Sequence, residues 1–281
     1  MIKKLGYNKN VGAHPPGMLF LARMKAEKTL PELADPDLRQ FDGPIMNQGQ
    51  AGSCVTFAGG RQLALFWRAH EITTKWVVPS PRFSYPVARL QEWAGQEVTI
   101  IPELRDTGCM PALYLQGIAN VGFVPWETYP YPTDEETLND EGAMLNIVNQ
   151  GVPPDITTQA YDQKGLEYAL YDGANSGRMD WVADCLRHRF APTFGMLVDQ
   201  AYMNNTGDKV TKIDRANALG GHDQLIIAVT PEGDAIVDGS WGPDFADRGI
   251  VLISKDVMNN PNICSDFQIV KGAPLPESIA A

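Results

Sequence analysis

The stretch NQGQAGSC, Asn47 to Cys54, sets a single thiol just past a glycine-broken run and directly ahead of VTFAGGRQLALFWRA. Val55, Leu63, Leu65, Phe66 and Trp67, among Ala and Gly, predict a largely buried helix over about Cys54 to His70. Gly49 and Gly52 interrupt the chain just before it, so the thiol falls at the positive end of that helix. A thiol attacks as its thiolate, and an ordinary pKa of roughly 8.5 leaves little thiolate at neutral pH. A helix N-terminus and a neighbouring imidazolium both lower that value. The commoner fate of a cysteine is burial as a small apolar residue. Position alone does not choose between the two.

Composition narrows the classes. The chain has 281 residues, 44% hydrophobic and 9% aromatic, enough to bury the core of one large domain or of two lobes sharing an interface. A formal net charge of −11 argues against nucleic acid, which ordinarily meets a basic face; CLRHRF is only a local basic run. The acidic cluster TDEETLNDE, Thr133 to Glu141, reads as a solvated loop or a first helical turn. No apolar run reaches the roughly 18 residues of a membrane span. The start, MIKKLGYNKNVGAHPPGMLFLARMK, is broken by Gly, Asn and Pro, so no secretory leader is expected. Cys54, Cys109, Cys185 and Cys264 lie far apart without metal-ligand spacing, which argues against structural zinc and a dense disulfide framework. The expectation is a cytoplasmic or virion-associated protein without metal, cofactor or membrane partner.

Residues 1–44 read as an irregular extension with one short helix in GMLFLARMKAEKTLPEL. A helical lobe follows over 45–150, carrying the Cys54 helix and two more in SPRFSYPVARLQEWAG and MPALYLQGIANVG. Residues 151–270 form a β-rich lobe, with a helix in GRMDWVADCLRHRF and strands in TFGMLVDQAY, HDQLIIAVT, DAIVDGSWG and RGIVLISKDV. Residues 271–281 are a tail. Helices early and strands late make an α+β chain of two lobes.

NQGQAGSC resembles the active-site segment of papain-like cysteine peptidases, which read about NQG-x-CGSC before their central helix. LPELADPDLRQFDGPIMNQGQ is similar to the lead-in of bacterial and viral members, and GGHDQLIIAVT…GDAIVDGSWGPDFADRGIVLI to the GGHA…NSWG end of the fold. The resemblance runs from about Leu30 to Asp256. It implies a two-lobed fold, with a helical N-terminal lobe, a β-barrel-like C-terminal lobe and the cleft between them. It also implies an endopeptidase acting through an acyl-thioenzyme on peptide or protein substrates. Cys54 is then the nucleophile, and His222, after Gly220-Gly221 at the head of a strand, its base and later its acid. The Gln48 amide and the Cys54 backbone N–H would receive the developing oxyanion. The plainer alternatives are a core histidine and an ordinary loop amide. His14, His70 and His188 lack that setting and read as surface or structural.

Several positions depart from the family. The Asn that orients the imidazole is Gly239, which has no side chain to offer. Asp238 is adjacent, but neighbouring strand residues face opposite ways unless a bulge shifts them, and Asp223 meets the same objection. Trp241 matches the tryptophan that shields the imidazole contact. Ala51 replaces a disulfide cysteine, and TGCMP stands where a Gly-Gly normally pairs with extended substrate. The first 44 residues are shorter than the inhibitory pro-segment of lysosomal relatives: either this is no zymogen of that kind or its control lies elsewhere. These departures motivate a second reading, a catalytically weakened or inactive papain-fold module within a viral particle or other assembly. A third is transfer rather than hydrolysis by the same thiol. The peptidase reading requires Cys54 and His222 to meet in a groove open to solvent. It also expects Cys54 to alkylate near pH 6 well ahead of the other three thiols.

Overall fold

A computed structural model of the chain describes residues 5–9, 30–93, 104–162, 165–173 and 175–280. The helix expected in GMLFLARMKAEKTLPEL falls largely outside these residues, and Leu30–Leu33 are not helical.

The helix α1 (Cys54–Ala69) is buried along almost its whole length, with Phe57, Leu63 and Trp67 fully enclosed. Such a helix has no solvent face, which is why its sequence shows Ala and Gly where a surface helix shows charge. α2 (Pro81–Leu90) starts at Ser80, whose side chain accepts from Phe83 N–H, and α3 (Pro111–Val121) packs across it. The acidic cluster forms two short helices, α4 (Glu135–Asn139) and α5 (Glu141–Val148), capped by Asp134 and Asp140. Acidic side chains in those first turns complement the exposed N–H groups.

Strands gather later in the chain. They are β1 (Glu167–Leu170), β2 (Thr193–Val198), β3 (Gly220–Val229), β4 (Ala235–Asp238), β5 (Ile250–Ile253) and β6 (Cys264–Gly272). They make one antiparallel sheet in the order β1-β6-β2-β3-β4-β5. The sheet is open rather than barrel-like, which corrects that expectation. Its outer strands do not meet, and the β5 edge is instead covered by Val210, whose N–H donates to Leu252 O at 2.8 Å.

α1 lies against this sheet and is pinned to it by polar contacts. Gln62 Nε2 donates to Ala191 O (2.8 Å) and Gln268 O (2.9 Å), and Trp67 Nε1 to Ala273 O (2.9 Å). One apolar core runs from Phe57 and Trp67 through Phe194 to Val237 and Val251. The start of α1 and the head of β3 thereby come together. Among the described residues no helix is long and apolar enough to cross a membrane.

Candidate active site

Cys54 is the first residue of α1, and the preceding loop is tied down on both sides. Gln48 N–H donates to Ser240 O (2.8 Å), and Tyr131 OH donates to Gln48 O (2.9 Å). The Gln48 side chain is fully buried; its Nε2 donates to Ala51 O (2.7 Å) and its Oε1 accepts from Ser240 Oγ. Ser240 and Tyr131, which hold the Gln48 loop, were not singled out in the sequence. Their partners lie far away in the chain, so no local pattern marks them.

His222 sits near the head of β3, opposite Met196 of β2. Its ring stacks on Trp241, with centroids 4.0 Å apart and planes 13° from parallel. The next residue, Asp223, directs its backbone N–H at the Cys54 sulfur. The structure therefore gathers Cys54, Gln48, His222 and Trp241 at the junction of helix and sheet.

Asp238 takes no part in orienting the imidazole. It forms an ion pair with Arg61 of α1, which also holds Asp42 (Nη2 to Oδ1, 2.7 Å). The irregularity in the β3–β4 pairing falls between Ile226 and Ala228, not at Gly239, so nothing turns Asp238 around. Gly239 itself has room. A Cβ there would lie 3.7 Å from Gly249 O and 3.8 Å from Phe245. His70 packs between Phe66 and Phe190, and His188 pairs with Glu32, both outside this cluster. His14 lies outside the described residues.

The open groove is not there. Cys54 and His222 are both 0% exposed. The chain's own residues Leu5–Asn8 run through the place where the groove would be. Tyr7 N–H donates to Gly221 O (3.2 Å), beside His222. On the other side Cys109 N–H donates to Gly6 O (2.8 Å) and Asn8 N–H to Cys109 O (3.1 Å). Through the Cys109 backbone, TGCMP thus pairs with an extended chain. Gly6 lies over the thiol and directs its N–H at the sulfur. Its neighbours leave no space for a side chain, since a Cβ on Gly6 would overlap Gly52 O.

This covering decides the state of the sulfur. Burial, and secondarily the Asp223 carboxylate, push the Cys54 thiol up to about 12, against three N–H groups that pull it down. Reactivity near pH 6 is therefore not a property of this closed arrangement. All four cysteines are free and buried. Beyond Asn47 the site borders a cavity of about 480 Å³ lined by Met46, Trp76, Trp126, Leu138 and Trp241.

No family model matches the chain. Cysteine proteinase 2 of Dictyostelium discoideum is 24% identical over 266 residues, which span 85% of this chain and 66%, just under two thirds, of that protein. Xylellain, a cysteine protease from Xylella fastidiosa, is similar in structure, with a TM-score of 0.69 and 21% identity over 98% of this chain and 100% of that one. Procathepsin B S9 from Trypanosoma congolense matches with a TM-score of 0.64 and 14% identity, over 96% and 86% of the two chains. The architecture is thus that of the papain-like cysteine proteases, as the resemblance of the sequence implies.

Proposed function

We propose that the protein is a cysteine peptidase whose cleft is covered by its own N-terminal strand. Cys54, as thiolate, attacks the peptide carbonyl carbon, and His222 passes the thiol proton to the departing amine. Water, deprotonated by His222, then releases the acyl group and restores the thiol. The Gln48 amide, which lies in the loop ahead of Cys54 and donates to Ala51 O, and the Cys54 backbone N–H receive the oxyanion. Substrates are peptides or proteins, met in the cytoplasm or a virion.

The observation that carries this reading is the backbone of Leu5–Asn8. A cleft that pairs with an extended chain through Gly221 on one side and Cys109 on the other is built to hold peptide. What hides the thiol is a bound strand rather than core packing. The second reading, an inert module, draws on Gly239 and on the raised Cys54 pKa.

Gly6→Ala separates the two. The added methyl has no place beside Gly52 O, so the strand is expected to leave the cleft. Iodoacetamide at pH 7 should then label Cys54 at least about tenfold faster than in the parent protein, with Cys185 and Cys264 unchanged. Labelled casein should be cleaved, and Cys54→Ala in the same background should abolish cleavage. If Cys54 of the Gly6→Ala protein reacts no faster than Cys185 and casein stays intact, the peptidase reading fails.

A further inference from the structure

Gly239 has no side chain with which to orient the imidazole, and a buried amide stands across the strand from it. β3 and β4 pair Leu225 with Asp238, and the same register continued sets Gln224 opposite Gly239 and His222 opposite Trp241. The 4.0 Å stack of His222 on Trp241 shows the register holding past the end of β4. Residues two apart on a strand share a face, with Cα atoms about 7 Å apart, so Gln224 lies next to His222 on the face that Trp241 covers.

The Gln224 amide is only half used. Its Oε1 accepts from the Tyr202 hydroxyl, whereas Nε2 has no hydrogen-bond partner among the described residues. Tyr202 in turn sets its ring edge-on to Trp241, with centroids 6.0 Å apart. At 1% exposure Gln224 is out of reach of bulk water, and a buried amide with an idle end is costly. Its neighbours Leu225, Ile226 and Ile227 are apolar, so packing alone does not call for glutamine here. Space for the amide exists beside it: a Cβ at Gly239 would have no atom nearer than 3.7 Å.

We infer that Gln224 is the positioning residue for His222, its amide oxygen accepting the ring N–H that points away from Cys54, in place of the side chain that Gly239 lacks. The inference rests on the peptidase reading only for the reaction that the oriented ring serves. Half a turn of the amide exchanges its two ends: Nε2 then donates to the Tyr202 oxygen, and Oε1 is offered to the imidazole. Such a bond fixes the tautomer whose bare nitrogen faces the thiol. Glutamine has one more side-chain torsion than asparagine and holds the ring less firmly, so Gly239→Asn can still improve on it.

Two experiments on the full chain test this. The first needs neither substitution nor catalysis: NMR of the parent protein with nitrogen-15 histidine. The His222 ring N–H should be protected from solvent exchange and show a nuclear Overhauser contact to the Gln224 side-chain amide. A His222 ring without that contact overturns the inference. The second uses the Gly6→Ala protein. Gln224→Met should lower kcat about tenfold with KM within about twofold, and slow Cys54 alkylation at pH 6 by a similar factor, because a misaligned imidazolium no longer holds the thiolate. Adding Gly239→Asn should restore both. A folded Gln224→Met protein with unchanged kcat and alkylation overturns the positioning role, and so does a loss that Gly239→Asn fails to repair. The NMR contact and the alkylation change together with intact casein would overturn the peptidase reading and keep the pairing of Gln224 with His222.

Discussion

At Cys54 two effects pull the same sulfur in opposite directions. The helix start and three N–H groups favour the thiolate; burial and the Asp223 carboxylate favour the thiol, and the thiol wins. Because the pKa is raised to about 12, the thiolate fraction of the closed protein grows about tenfold per pH unit below that value. Alkylation of the parent protein should therefore keep rising from pH 7 to pH 9, whereas the Gly6→Ala protein should reach its plateau at lower pH. A parent profile already flat at pH 7 would contradict the buried thiol. Gly239 supplies the other prediction at this scale. A Cβ at the buried Gly239 makes only ordinary contacts, so Gly239→Asn should fold, at a cost of about 1 kcal/mol for the added buried amide. In the Gly6→Ala background the restored amide should raise kcat/KM about tenfold. An unchanged kcat/KM would mean that position 239 does not address the imidazole.

Between elements, the Arg61 cluster couples the middle of α1 to the end of β4 and to the chain before α1. Removing the cation strands two carboxylates, one fully buried, so Arg61→Met should cost about 3–5 kcal/mol, read from the urea midpoint. A loss below about 1 kcal/mol would show that the cluster contributes little. Elements were legible in the sequence in proportion to their apolar pattern. α1 and β3 are buried over most of their length and could be read directly. β6 was missed because CSDFQIVKG spreads Ser, Asp, Gln and Lys along an inner strand, where Ser265 and Asp266 meet the Tyr7 hydroxyl, Gln268 is buried, and Lys271 pairs with Glu167 of β1. β1 has only four residues and no pattern to detect.

Across the whole molecule, the helix and the sheet are held in register by few polar contacts within a continuous core. Gln62→Leu leaves the Ala191 and Gln268 carbonyls without their donor, and should lower stability by about 1–3 kcal/mol in a thermal melt. No change would mean that apolar packing alone sets the placement of α1. By itself the sequence determined the order of parts: a thiol opening a buried helix, an amide six residues before it, an imidazole leading a strand. Those are local matters of spacing and periodicity. Only the tertiary structure decided that residues 5–8 lie over the thiol, that Asp238 belongs to Arg61, that Gln224 lies opposite Gly239, and that the sheet stays open. Each of these depends on partners far apart in the chain. The energy of a charge or a thiol follows from what surrounds it in space, not from its neighbours in sequence.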